Sequence, residues 1–446
     1  MSVAVERGER GLAGAGLRQW APAAAWLLAL LLAAVTVKLV LDAAVGHRPL
    51  VPASPDISAW LRGPGQRLEY RDFLILLLVF SGAYAGLLAL RGALPARASI
   101  ALVVALHVVV FVGPILLSTD VFSYIAYARM GVEHGLNPYT HGPIAIMHDP
   151  VYRYVGVDWK HVATAYGPLY TLISYPLAPL GLKGALWGMK VEALVGSAGT
   201  LWLVWRCARA RGYEPAWALL AVGANPLYII YGLGGAHNDL LMLMAMMAAV
   251  SLTFSGRDGA AAAAVVAGAL VKVTVAVLLP FMFLARRERG QLLARRERSL
   301  LLGAAAALAV SAVAAFAAFG AHGLDVVAAL NRDAAFVSTD SFPTEIAHLF
   351  GKPGVFPVDH DLLKGALVVI VALLLWRTWH GFDWVAAAGW TLLAISVTST
   401  WLLAWYLLWP LPLAVIARDR RLLVATLAVQ VLFIAHQLTP LLAPVS

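Results

Sequence analysis

The sequence predicts an all-helical membrane protein of about thirteen transmembrane helices, and three observations predict it. Of 446 residues, 61% are hydrophobic and only 13% charged, and the mean hydropathy is +0.80, so the chain carries more apolar surface than a soluble core of this size can bury. Apolar runs near the roughly 17 to 25 residues that a helix needs to cross hydrocarbon recur from end to end. The arginines sit in short clusters between those runs, which assigns the net charge of +9 to membrane topology and argues against a nucleic-acid partner. The single cysteine, Cys207, allows neither an intramolecular disulfide nor a thiolate metal cluster.

The elements follow in order. Arg7, Arg10, Arg18 and Trp20 precede the first run, 23–43, and no small-residue cleavage site follows it, so it is expected to be a retained span. Runs at 72–91 and 98–117 flank Arg91 and Arg97, which predicts a cytoplasmic connection and puts Asp120 on the opposite face. Residues 120–165 form a polar, aromatic loop with His134, His141, His148, Asp149 and His161. The run from Pro168 to Leu182 is short and holds Pro176 and Pro179, so it is expected to lie at the membrane surface. Residues 118–183 therefore read as a first large outer loop with juxtamembrane helices.

Crossings follow at 184–205, 214–231 and 240–254, the last two joined outside by GLGGAHND. The run 260–285 begins and ends beside cytoplasmic arginines and carries Lys272 in its middle. One straight helix would strand that ammonium at mid-membrane at about 2.5 to 3.5 kcal/mol. Two short helices meeting near Lys272 at the outer face avoid this. The arginine cluster 286–298 is then cytoplasmic, 300–320 crosses to a second outer loop at 321–361, and crossings at 362–376, 384–397, 400–417 and 422–439 complete a single multi-pass domain over 1–446. No repeat of 20 to 50 residues is evident, and the alanine runs read as close-packed helices.

The unusual polar residues fall on one side: Asp120, Tyr166 in YGPLY, His237, Asn238 and Asp239 in GGAHND, Lys272, and Asp340 in STDSFPTE. A transporter is expected to place coupling residues near the midplane in broken helices of two related halves. An outward cavity with a carboxylate near the surface and a lysine at lipid depth instead suits a water-soluble acceptor meeting a lipid-borne phosphate.

The segments STDVFSYIAYARMGVEHGLNPY, AYGPLY, ANPLYIIYGLGGAHNDLLM, ALVKVTVAVLLPF and WLLAWYLLWPLPL resemble, in chain order over about residues 115–415, the GT-C membrane glycosyltransferases. Within these the likeness is to the actinobacterial polyprenol-phosphate-mannose-dependent mannosyltransferases. The resemblance implies a GT-C-like fold in the bacterial plasma membrane. It also implies transfer of a sugar, mannose in that family, from a polyprenyl-phosphate carrier to a glycolipid or polysaccharide acceptor at the extracytoplasmic face. Asp120 stands where GT-C enzymes carry a catalytic base, at the start of the first outer loop, although two spans precede the family's usual first one. A carboxylate there can take the proton that an acceptor hydroxyl loses as it attacks the anomeric carbon. The leaving lipid phosphate needs cationic neutralisation but no proton, so one carboxylate suffices, in contrast to glycosidases. Lys272 is the first candidate for that neutralisation, with Arg129 and Arg153 behind it, and His237, Asn238, Asp239, Tyr166, Tyr139 and Asp340 are the remaining substrate-binding candidates.

Each candidate has a plainer reading. STD before VFSYIAYARM is a good capping sequence for Asp120; His237, Asn238 and Asp239 can cap the helix from Leu240; Lys272 can anchor at the interface; Trp401, Trp405, Tyr406 and Trp409 read first as an aromatic belt. The loop histidines lack metal-ligand spacing, so no metal site is assigned and a divalent cation stays open as cofactor. No Walker loop or Gly-rich strand-to-helix turn points to a nucleotide. The alternative function is a lipid-linked sugar flippase or transporter, distinguished by whether access to Asp120 alternates between faces.

Overall fold

The computed structural model describes residues 2–46, 50–287, 294–325, 328–329, 332 and 336–438, and over these the protein is helical without strands. Arg289 of the predicted basic cluster and most of 326–335 in the second outer loop lie outside the described residues. The chain opens with α1 (Ser2–Val45), α2 (Tyr70–Ala89) and α3 (Ala96–Val112), which pack on one another. A long connection follows, containing α4 (Asp120–Val132) and α5 (Pro168–Ser174). Next come α6 (Gly181–Ala210), α7 (Pro215–Gly223), α8 (Asp239–Phe254), α9 (Asp258–Ala269), α10 (Leu278–Arg286) and α11 (Arg295–Phe319). The chain ends with α12 (Phe342–Leu349), α13 (Pro357–Trp379), α14 (Trp384–Thr398), α15 (Leu411–Ile416) and α16 (Arg420–Gln437).

Among the described residues, three segments are long and apolar enough to cross a membrane: Trp20–Val45, Tyr70–Ala89 and Arg295–Gly323. A fourth span arises if α7 is counted with the π-helical turn Leu227–Leu233 that follows it at a 52° bend. The bend has a local cause. Pro226 has no N–H to continue the ladder, and the Asn225 side-chain amide oxygen Oδ1 accepts from the N–H groups of Leu227 and Tyr228. Several other expected spans are apolar helices of 10–17 residues, so length and composition alone support fewer crossings than the thirteen expected.

In the interior, α6 packs on α8, α8 on α9 and α9 on α11. The last contact is a backbone approach: a Cβ at Gly303 would run into the Gly259 carbonyl. The outward face of α11 is apolar, with Val310 71% and Phe316 68% exposed, a surface suited to lipid.

Residues 258–286 leave and return to the same end of the bundle. α9 runs up to Lys272, whose backbone is extended (φ −149°, ψ 121°), a 3-10 turn follows at Val273–Val277, and α10 comes back until the Arg286 Nε donates to Asp258 Oδ1 at 2.9 Å. The lysine therefore tips a hairpin of two half-length helices, as the distribution of arginines required. Arg211 and Asp383 close the same end of the molecule with a two-pronged pair at 2.7 and 2.9 Å. At the other end the long connection is tied down by backbone bonds from Leu116 N–H to Gly234 O (3.0 Å) and from Gly167 N–H to Val271 O (3.3 Å). That end gathers the polar motifs.

Candidate active site

Asp120 is the first residue of α4, and its N–H is capped by the Ser118 hydroxyl at 3.1 Å. Its carboxylate is thus spared the capping role that the sequence allowed. It faces Nδ1 of His237 at 3.8 Å and lines a narrow cavity of about 60 Å³ with Ser123, Tyr127, Tyr166, Lys272 and Trp405. Burial raises the Asp120 pKa to about 6, with Asp239 adding to the rise while Lys272 and the Ser118 hydroxyl oppose it.

The GGAHND turn supplies the floor. Ala236 adopts a left-handed backbone (φ 51°), a conformation that costs a non-glycine residue about 1 to 2 kcal/mol and that sends His237 and Asn238 inward. The His237 ring stacks on Trp405 with centroids 3.6 Å apart, and burial, reinforced by Lys272, pushes its pKa far below the usual histidine range, so it is neutral. Tyr124 Oη reaches His237 Nδ1 and Asn238 Oδ1 at 3.5 Å each. His237 Nε2 and Asn238 Nδ2 are buried without a hydrogen-bond partner among the described residues. Asn238 is the N-cap residue of α8 but its side chain makes no capping bond.

Asp239 and Lys272 form a buried ion pair, Nζ lying 2.8 and 3.0 Å from the two carboxylate oxygens. Trp409 Nε1 donates to the same carboxylate at 2.6 Å, and the ammonium also sits 4.4 Å from the Tyr406 ring centre and 5.1 Å from that of Trp409. Lys272 points into the protein, 15% exposed, and is not an interfacial anchor. A second, larger cavity of about 340 Å³ adjoins the first and shares Ala165, Tyr166, Lys272, Trp401 and Tyr406 with it. Its far wall is α13, which contributes His360, Leu363, Lys364 and Leu367.

YGPLY packs directly against the hairpin tip. A Cβ at Gly167 would collide with the Leu270 carbonyl, and Tyr170 N–H donates to that oxygen at 3.3 Å. Tyr166 is held edge-on by Tyr124, with centroids 4.8 Å apart.

The structure therefore brings together Asp120, Tyr166, His237, Asn238, Asp239 and Lys272, and leaves four other candidates outside this cluster. Arg129 is occupied by Asp149 (2.9 Å), Glu133 (2.6 Å) and the Ala178 carbonyl (3.2 Å), and it braces the long connection between α3 and α6. The hydrogen bonds from Arg129 and His134 outweigh burial and hold the Asp149 pKa below the ordinary range. Tyr139 donates its hydroxyl to the Tyr166 carbonyl at 2.9 Å and packs its ring on Phe319, so it supports a cavity residue from behind. Asp340 is half exposed near Gln437 (3.5 Å) and His436 (3.8 Å). Arg153 is exposed over the Tyr154 ring.

Sequence reasoning missed His360, Lys364 and Trp159, and it placed the Trp401–Trp409 aromatics in a belt, whereas Trp401, Trp405, Tyr406 and Trp409 all line one or both cavities. The tight WLLAWYLLW spacing was the available signal. Among the described residues, no group of three or more His, Cys, Asp or Glu is placed to hold a metal ion.

Residues 32–288 match the family described as "Alpha-(1->6)-mannopyranosyltransferase, N-terminal domain". Alpha-(1->6)-mannopyranosyltransferase A of Mycobacterium tuberculosis is 29% identical over 348 residues, covering 71% of this chain and 66% of that protein. The protein of the same name from Corynebacterium glutamicum is 33% identical over 176 residues, 39% of this chain and 35% of its own length. The chain thus matches less than two thirds of these relatives, and no solved structure matches. With more than half of its residues inside the family match, and with that match carrying Asp120, Tyr166, the GGAHND turn and Lys272, the chain belongs to the alpha-(1->6)-mannopyranosyltransferase family.

Proposed function

We propose that the protein transfers a mannosyl residue from a polyprenyl-phosphate carrier to a hydroxyl of a glycan or glycolipid, at the extracytoplasmic face of the bacterial plasma membrane. The observation that carries this reading is the junction of the two cavities. A buried carboxylate, Asp120, lines the narrow one, Lys272 lines both, and the wider one adds Lys364 and His360 beside apolar Leu363 and Leu367.

Asp120 accepts the acceptor proton; a base with a pKa of about 6 is ionised at neutral pH yet still basic enough to assist attack. Lys272, which lines both cavities, neutralises the phosphate that leaves. Because Lys272 is already paired with Asp239, Lys364 on α13 supplies a second cation that holds the donor phosphate in the wider cavity. Leu362 and Val368 on α13 are 67% and 68% exposed, which suits a donor whose phosphate enters sideways with its hydrocarbon tail left in lipid. The names of the relatives support mannose as the sugar. The face is supported by the arginines Arg211, Arg286, Arg296 and Arg418, which gather at the end of the bundle away from the cavities. In this topology most of the helices cross, some of them in broken pairs, giving about thirteen passes.

The test is transfer of labelled mannose from polyprenyl-phosphate-mannose, with a nucleotide-mannose control, in membranes holding equal amounts of wild type or Asp120→Asn. Transfer from the lipid donor alone is expected, falling about 10² to 10⁴-fold in the variant. Equal transfer by both proteins would exclude Asp120 as the base.

A further inference from the structure

A third cavity, of about 870 Å³, opens at the end of the molecule opposite the candidate active site. α8 connects the two places, beginning at Asp239 and ending at Phe254. Its sixteen residues rise about 24 Å, close to the roughly 30 Å of a hydrocarbon core. The cavity is lined by five arginines, Arg211, Arg286, Arg287, Arg296 and Arg418, with Asp383 the one carboxylate among its lining residues. Two more carboxylates stand just behind the wall: Asp258, bonded to Arg286 at 2.9 Å, and Glu297, 3.4 Å from Arg287. Among the described residues, five cations against three anions leave an excess of two positive charges.

That excess is located. Arg211 is committed to Asp383 through two hydrogen bonds. Arg296 reaches Asp258 only at 3.7 Å and is 53% exposed. The Arg418 backbone N–H donates to Asp383, and its exposed side chain has no ion-pair partner among the described residues. The walls are aromatic: Phe254, Trp379, Phe382 and Trp384. Arginines that serve topology alone need only water around them, whereas here they share a largely polar cavity with four aromatic side chains. Tryptophan favours the membrane–water interface, and basic pockets between helix ends recognise phosphate headgroups.

We propose that this cavity binds the phosphate headgroup of an anionic membrane phospholipid, with Arg418 and the loosely paired Arg296 as its cations and the aromatic walls receiving the glycerol and upper acyl region. The bond is ionic and reversible, and it is independent of the transferase chemistry at the other end of the bundle.

The experiment uses the full chain purified in neutral detergent. Its thermal midpoint is followed against added phosphatidylglycerol, phosphatidylcholine and inorganic phosphate, at low and high salt, for wild type and for the double variant Arg296→Gln/Arg418→Gln. Phosphatidylglycerol is expected to raise the midpoint saturably, phosphatidylcholine to leave it unchanged, and the double variant to bind at least tenfold more weakly with an unaltered midpoint in the absence of lipid. High salt should weaken the effect in wild type, which keeps a readout that no substitution can compromise. Equal stabilisation by phosphatidylcholine, a salt-independent effect, or unchanged affinity in the double variant would overturn the assignment. A shift reproduced by inorganic phosphate alone would overturn it in favour of a free-anion site.

Discussion

At the scale of the residue, the site is governed by how three charges share a buried space. Asp239 is paired with Lys272 and accepts a hydrogen bond from the Trp409 indole, whereas Asp120 has a neutral histidine and a serine hydroxyl beside it. Burial therefore acts on Asp120 with less opposition and lifts its pKa to about 6. A base works deprotonated, so kcat/KM for transfer should fall as pH drops through about 6, and not through the value near 4 typical of an exposed aspartate. A pH–rate profile with its acidic limb near 4 would assign the base elsewhere. The two lysines should separate kinetically. Lys364 lines only the wider cavity, so Lys364→Gln is expected to raise the donor KM about tenfold with little change in kcat. Lys272 lines both cavities, so Lys272→Gln is expected to lower kcat. Identical effects of the two substitutions on both parameters would refute this division.

At the scale of the element, the hairpin from Asp258 to Arg286 decides where the chemistry sits, because its break delivers Lys272 to the cavities. Its tip is set by YGPLY, whose Gly167 leaves room for the Leu270 backbone. Gly167→Ala should displace the tip at a cost of about 1 to 3 kcal/mol and reduce transfer. Gly188→Ala, where the added methyl meets only the flexible end of Leu177, should be tolerated better. Thermal midpoints and transfer rates of the two variants, measured together, check the difference. The hairpin was legible in the sequence because a lysine flanked on both sides by inside-type arginines leaves few other solutions. Asp120 and GGAHND were legible because their motifs fall at helix starts. Arg129 and Asp340 were misplaced for the converse reason: membership of an outer loop says which end of the bundle a residue occupies but not which partners it meets, and Arg129 meets Asp149 and Glu133 first. His360 and Lys364 were invisible since α13 approaches Lys272 only in three dimensions.

At the scale of the whole molecule, charge and polarity are segregated to opposite ends, and the proposed topology makes a direct prediction. Cys207 is 1% exposed and should resist aqueous thiol reagents, which leaves a silent background. In intact cells a membrane-impermeant maleimide should label Val157→Cys, at a position 75% exposed in the first outer loop, and spare Arg257→Cys, exposed at the other end. Labelling of both, or of Arg257→Cys alone, would refute the orientation. Either result is independent of which sugar is moved.

The Lys272–Asp239 pair also bears on how the protein is made. The acid lies 33 residues ahead of the base, so it leaves the ribosome before the hairpin that carries its partner. A chain that brought the lysine to lipid alone would carry a bare ammonium; in this order the carboxylate that pairs with it is made first. A rearranged gene that moves α9 and α10 ahead of α8 would encode the same final contacts, and it is expected to yield less inserted protein, read as the fraction of the chain recovered in the membrane.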